Sequence, residues 1–260
     1  MIRPSMITRR SLLTAGAVTV GGLMLPGCDR LSQAPSFQTF LQSAEGLSYR
    51  AQRLLQFGQP LAREFEARQM SPIFRTNGTE LPPSPDYQVM ADQAFRGWKL
   101  RVDGLVNRAL DLSLDQLKAI KTRSQITRHD CVEGWSAIGK WTGAPLGEVL
   151  MLAGLKPNAR YIVFHCADSM DGQPDGTDLY YESIDLIDAF HPQTMLAYAL
   201  NDKPLEVGHG APIRLRVERQ LGYKQAKYVM RIEAVDSLAR LGKGKGGYWE
   251  DLGYEWYAGI

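Results

Sequence analysis

Between residues 128 and 136 the sequence gathers several reactive side chains: Arg128-His129-Asp130-Cys131-Val132-Glu133-Gly134-Trp135-Ser136. A cysteine thiolate is a soft ligand, suited to a metal in a sulfur-rich shell. Flanking cations such as Arg128 and His129 would help keep it ionised. A second cysteine, Cys166, follows His165. Taken alone, these residues leave four readings open. Cys131 is a buried structural cysteine, or it pairs with Cys166 in an oxidising compartment. Alternatively His129, Cys131, His165 and Cys166 hold zinc, although the C-x-x-C spacing typical of such sites is missing. The fourth reading is another metal or redox role for Cys131.

Further along, His209-Gly210-Ala211-Pro212-Ile213-Arg214 and Leu221-Gly222-Tyr223-Lys224-Gln225-Ala226-Lys227 bring glycines together with basic side chains. By residue pattern alone they make no glycine-rich phosphate loop. The plainer reading is a solvated strand face, because Arg216, Glu218 and Arg219 are close in sequence. The tail from Gly246 to Tyr257 is dense in aromatics, which fits a packed terminal segment or the wall of a substrate pocket.

These groups need a scaffold. Alternating residues 98–103, ending at Gly104, predict a strand. Ser113 and Gln116 form a capping box that starts a helix running to about residue 120. Strands are expected at 126–131, 161–164, 195–200, 213–217 and 228–235, and helices at 146–153 and 184–189, with Gly154 stopping the first. Residues 56–87 contain several prolines and show little periodicity, so they read as ordered loop. Short helices mixed irregularly with strands argue for an α+β fold with a mixed sheet, not a doubly wound one.

With 260 residues, 44% hydrophobic and 22% charged, the chain suits one sizeable domain after a leader. Its 30 basic and 28 acidic residues give a net charge of +2, which carries no nucleic-acid footprint. Three cysteines do not make a disulfide framework. Residues 1–28 read as a targeting segment. Arg9 and Arg10 precede an uncharged stretch from Leu12 to Leu25, which is shorter than the roughly 20 residues of a membrane span. The paired arginines resemble a twin-arginine export signal, a route that carries folded proteins; a general secretory leader is the alternative. Leu25-Pro26-Gly27-Cys28 resembles a lipoprotein processing site, which would put a lipid anchor at Cys28. Residues 29–55 would then be a linker and 56–260 the functional domain.

Cys131-Val132-Glu133-Gly134-Trp135-Ser136, followed by Trp141-Thr142-Gly143-Ala144-Pro145-Leu146, resembles the metal-ligating segment of the sulfite oxidase family. The resemblance is strongest to its periplasmic methionine sulfoxide reductase catalytic subunits, and it covers roughly residues 70–260. It implies a molybdopterin-binding fold, with Cys131 as protein ligand to molybdenum and a molybdopterin supplying the dithiolene. The 209–227 block corresponds to the family's pterin cradle. His209 and Arg214 match pterin-binding positions, and Gln225, Ala226 and Lys227 match phosphate-side positions. Asn77, after Phe74-Arg75-Thr76, matches an N-terminal cofactor contact. Cys166 falls where the reductase branch has a threonine touching the pterin, and Tyr254 matches a tyrosine near the metal. By the same resemblance the chain is a periplasmic two-electron oxidoreductase acting on a sulfur oxide or S-oxide. Its electrons would pass to or from a separate haem partner, either a membrane haem b protein or a soluble cytochrome. Sulfite oxidation proper, with Arg123 and Arg128 meeting the anion, is the competing chemistry. A metal-free lipoprotein binding module on the same fold is the reading from another class.

Overall fold

The computed structural model describes residues 46–47, 49–54 and 60–260. The expected leader, Cys28 and most of the expected linker lie outside them. The chain divides into two compact units, residues 1–58 and 59–260. In the first, residues 46–47 and 49–54 are helical. Everything below concerns the second.

Among the described residues this unit holds ten strands and five short α-helices: α1 Pro85–Asp92, β1 Lys99–Gly104, β2 Leu110–Ser113, α2 Leu114–Ala119, β3 Arg123–Asp130, β4 Ser136–Pro145, α3 Leu146–Ala153, β5 Tyr161–Ser169, β6 Leu179–Asp185, α4 Leu186–Ala189, β7 Met195–Leu200, β8 Lys203–Pro204, β9 Arg214–Arg216, β10 Val229–Val235 and α5 Tyr248–Asp251. The strands form two sheets. One runs β2-β1-β10-β5-β6; the other runs β3-β4-β7-β8, with β9 also paired to β7. Only the β1–β10 pair is parallel among the registers of these strands, so the first sheet is mixed, as expected of this α+β fold.

Helix α3 shows why the layers pack. Leu146, Val149, Leu150 and Ala153 recur at helical spacing and are fully buried or nearly so. They meet Leu100, Val102, Ile162, Phe164 and Ile232 of the first sheet, and Leu196 and Leu215 of the second. Each such side chain contributes about 1.5–3 kcal/mol on burial. A smaller cluster gathers Phe74, Met195, Ala197 and Leu205 around Trp141, which is fully buried.

The structure corrects several expectations. Residues 56–87 are not all loop: a 3-10 turn spans Ala67–Gln69, and α1 starts at Pro85. Ser84 caps α1 by accepting from Tyr87 N–H, with proline in the first turn, which is a legible helix start. β4 and β6 are additional to the expected strands, and residues 184–185 finish β6 before α4 begins. β3 starts at Arg123, three residues earlier than expected, and β5 runs on to Ser169.

Candidate active site

Cys131 follows the last residue of β3. The turn is closed by Cys131 N–H donating to Trp135 O (2.9 Å) and Gly134 N–H donating to Cys131 O (3.1 Å). This turn holds the half-buried thiol at the wall of a cavity of about 200 Å³. Asn77, Gly78 and Thr79 form another wall, Asp168 and Met170 a third, and Gly222, Tyr223 and residues 225–227 the floor. Aromatic side chains surround the opening: Tyr180, Tyr223, Trp249 and Tyr254 line it, with Tyr223 and Tyr254 edge-to-face at 5.2 Å.

The charges expected to ionise Cys131 are placed differently from the sequence reading. Arg128 is half-exposed and paired with Asp130. His129 is fully buried; Arg216 Nη1 lies 3.0 Å from its Nδ1, so the guanidinium donates there and the neutral ring carries its proton on Nε2. Burial, then Arg216 and Arg214, hold His129 well below its usual pKa. The cation that favours the Cys131 thiolate is Arg214; burial and Glu133 push the thiol the other way, and burial dominates.

The basic block is buried, not a solvated face. Arg214 and Arg216 are fully buried and Lys227 is 5% exposed. Trp141 from the first motif is their shelf: the guanidinium carbons of Arg216 and Arg214 lie 4.3 and 5.2 Å from its ring centroid. Arg216 is neutralised by buried Glu218. Arg214 and Lys227 have no carboxylate partner among the described residues. Arg214 donates to the carbonyls of His209 and Gln225, both at 3.2 Å. Lys227 Nζ donates to the carbonyls of Asn77, Thr79 and Gly208 at 2.5–2.8 Å, drawing the 77–79 segment over the cavity. Burial and the charges of neighbouring arginines lower Arg214 to about 9 and Lys227 to about 7. Two glycines allow this close assembly. Gly210 turns at φ +104°, and a Cβ there would press on Lys227 and Arg214; one on Gly222 would stand 2.6 Å from His129 Nε2.

The sequence-predicted residues thus divide. Asn77, Cys131, Gln225, Ala226, Lys227 and Tyr254 line one cavity. Arg214 stands behind it, within electrostatic reach of Cys131. His209 faces Phe74, whose carbonyl lies 3.0 Å from Nε2. Cys166 is a core residue beside a separate cavity with His165, Tyr181 and Gly242. Cys131 and Cys166 are both free, which removes the disulfide alternative. No group of three His, Cys, Asp or Glu among the described residues could hold a metal, which removes the zinc one. Sequence reading missed Thr79, Asp168, Met170 and Tyr180 in the lining, whereas Trp249 belongs to the aromatic tail read as a possible pocket wall. Asp168 stands two residues beyond the noted Cys166, but nothing in its spacing marked it.

Residues 87–240 match the model of the oxidoreductase molybdopterin-binding domain. The chain belongs to this family of molybdopterin-binding oxidoreductases. A relative from Azospira oryzae named "Putative protein-methionine-sulfoxide reductase subunit YedZ1" is 35% identical, over 96% of this chain and 87% of its own. The protein-methionine-sulfoxide reductase catalytic subunit MsrP of Xanthomonas campestris is 30% identical, over 94% and 73%. Among solved structures, the sulfane dehydrogenase SoxCD of Paracoccus pantotrophus matches 54% of this chain and 38% of its own, at 22% identity and a TM-score of 0.48.

The residues present fit a molybdopterin. Two buried cations without a carboxylate suit its phosphate, and a thiol at the cavity wall suits its metal. Asp168 Oδ1, on the cavity lining, is buried without a partner among the described residues and can accept from a group in the cavity.

Proposed function

We propose that this oxidoreductase is an exported reductase of S-oxides, with Cys131 ligating molybdenum and electrons arriving from a separate haem protein. The observation that carries the cofactor assignment is the pairing of uncompensated, buried Arg214 and Lys227 with a cavity onto which Cys131 opens. When bound, the molybdenum–pterin group would supply the two-electron redox chemistry. Overall, a sulfoxide takes up an electron pair and a pair of protons and leaves as the thioether, its oxygen departing as water. The chain's residues do the rest. Cys131 holds the metal, and the Cys131–Trp135 turn fixes the direction of its sulfur. Arg214 and Lys227 meet the phosphate, flanked by Gln225 and Ala226, while Asn77 closes the near wall through the Lys227 bond. His209 and Cys166 belong to the supporting packing of this cradle.

The cavity mouth favours reduction of a neutral S-oxide over oxidation of sulfite. The cavity's lining includes Val132, Met170, Tyr180, Tyr223, Trp249 and Tyr254, with Glu133 and Lys227 among its charged members. Arg123 is tied to Glu64 and Gln125, and Arg128 to Asp130; neither lines the cavity. A thioether oxide fits this largely aromatic and apolar lining. Both relatives quoted are named for protein-methionine-sulfoxide reductase, which agrees with this choice.

Protein from a molybdenum-competent host should contain about one molybdenum and one pterin per chain. It should consume methionine sulfoxide with a reduced viologen dye as donor. Stoichiometric zinc without molybdenum would overturn the cofactor assignment; sulfite-dependent reduction of ferricyanide without sulfoxide turnover would reverse the direction. The periplasmic location rests on Arg9 and Arg10. Arg9→Lys with Arg10→Lys should strand active enzyme in the cytoplasm, and Cys28→Ser should release it from the membrane if Cys28 is lipidated.

A further inference from the structure

We propose that Trp249 is a specificity-determining residue, its indole face stacking on the apolar group carried by the substrate's sulfur, so that the site selects sulfoxides with one flat aromatic substituent over dimethyl sulfoxide; this rests on the S-oxide reading above. Trp249 belongs to a circuit of aromatic rings at the cavity. Ring centroids are 6.0 Å apart from Tyr180 to Tyr248, 5.5 Å from Tyr248 to Trp249, 5.4 Å from Trp249 to Tyr254 and 5.2 Å from Tyr254 to Tyr223. Tyr180 donates its hydroxyl to Tyr223 O, which closes the circuit. All of these residues except Tyr248 line the cavity.

The circuit is held by its polar atoms. Tyr223 OH donates to Glu255 O at 2.6 Å, and Tyr248 OH to Asp178 Oδ2 at 2.9 Å. With Tyr180, three of the four phenols thus spend their hydroxyls on protein and leave ring carbon to face the cavity. Next to Trp249 in sequence, α5 is pinned twice. Glu250 pairs with buried Lys224, and Asp251 accepts from Tyr181 OH and from the N–H groups of Lys243 and Lys245. The segment carrying Met170 is tied to the same helix: Asp178 accepts from Tyr248 through its carboxylate and from Met170 N–H through its carbonyl. Met170 lines the cavity together with Trp249. A large flat ring on a fixed support, with a thioether on the same lining, is a preformed apolar slot, and docking into it orders little of the protein. In the proposed reaction the sulfinyl oxygen is directed towards the Cys131 end of the cavity, which leaves the carbon substituents of the sulfur to the rings. An aryl group gains offset or edge-to-face contact with the indole, whereas a methyl group removes far less apolar area from water.

The test measures kcat and KM for methyl phenyl sulfoxide and for dimethyl sulfoxide, with a reduced viologen dye as donor. Full-length wild type, Trp249→Leu and Trp249→Phe are each made in a molybdenum-competent host, and pterin is counted per chain. The readout is the ratio of the two kcat/KM values, which does not depend on how much of the protein carries cofactor. Trp249→Leu keeps apolar bulk without a flat face; Trp249→Phe keeps a smaller face. Wild type should favour methyl phenyl sulfoxide by about tenfold or more, chiefly through a lower KM. Trp249→Leu should lose about tenfold of that preference through a raised KM for the aryl substrate, and Trp249→Phe should retain most of it. No preference in wild type, an unchanged ratio in Trp249→Leu, or equal losses in Trp249→Leu and Trp249→Phe would each overturn the proposal while leaving the S-oxide reading intact. Wild type that carries pterin yet turns over neither sulfoxide would overturn both.

Discussion

Two clusters of buried charge lie in the same domain, and they are built on opposite rules. Around Lys224 the cation is met by two carboxylates of the chain itself, and burial pushes Glu182 well above the usual carboxylate range. The Lys224 ammonium lies 2.5 Å from both Glu182 Oε1 and Glu250 Oε1, all three side chains are buried, and the Trp256 ring centroid is 5.4 Å away. Around Arg214 and Lys227 no carboxylate of the described residues comes within ion-pair distance, and backbone carbonyls take up their donors. The first arrangement finds its counter-charges within the chain and ties β6 to the turn before residue 225 and to α5. The second leaves positive charge uncompensated in a low-dielectric place, which is costly unless an anion joins it. Completed charge marks structure; uncompleted charge next to a cavity marks a ligand.

The comparison can be broken in several ways. The largest effect should come from Cys131→Ala, which opens onto the uncompensated side: sulfoxide turnover is abolished while thermal stability hardly moves, since the thiol is only half-buried. Activity surviving in that variant would end the metal-ligand assignment. Next, Lys224→Met leaves Glu182 and Glu250 facing each other without their cation, and should cost about 3–5 kcal/mol of stability. Replacing all three by Met, Gln and Gln should recover much of that loss, as read by denaturant unfolding. Arg214→Met is the mirror experiment. Molybdenum and pterin content should collapse, while the apo form unfolds within a few degrees of wild type, because Arg214 is a buried charge whose partner is not protein. If Lys224→Met and Arg214→Met lose stability alike, the distinction between the clusters fails.

Smaller effects sharpen it. Cys166→Ala empties a core position, so it should cost on the order of 1–2 kcal/mol with turnover per folded molecule largely kept. Loss of activity equal to that of Cys131→Ala would restore a direct role for Cys166. The smallest effect is in pH dependence. Asp168 is raised from 3.8 to about 7 in the folded chain, so the folded apo form keeps a proton that the unfolded chain releases. Its contribution is present below pH 3.8 and is lost as pH rises through about 7. Melting temperatures of apo wild type should therefore fall from about pH 4 to about pH 7 more steeply than those of apo Asp168→Asn; parallel curves would show that Asp168 is not held protonated by burial.

Much of this was legible in the chain. Cys131 sits in a contiguous motif ending a strand, so a local pattern carries it. Arg214, Gln225, Ala226 and Lys227 fall in one short block for the same reason. The capping box at Ser113 and the apolar spacing of α3 are likewise local, and the structure reproduces both. Helix α1 was equally local, with Ser84 and Pro85 as its start, but its weak apolar spacing hid it among prolines.

What tertiary structure alone decided is which charges meet. Arg128 and His129 adjoin Cys131 in sequence, yet one turns to Asp130 and the other is neutral and buried under Arg216; the cation that reaches the thiol comes from β9. Asp168 and Lys227 are 59 positions apart and share one cavity because β5 pairs with β10, in register from Val229↔Cys166. Thr79 joins them through its carbonyl, which accepts from both Lys227 and Tyr228. Residue types and short spacings determined that a cysteine ends a strand and that a short basic, glycine-containing block follows later in the chain. The pairing of distant strands set the dielectric around each charge and decided who neutralises whom, because burial and Coulomb energies depend on separation in space and not along the sequence.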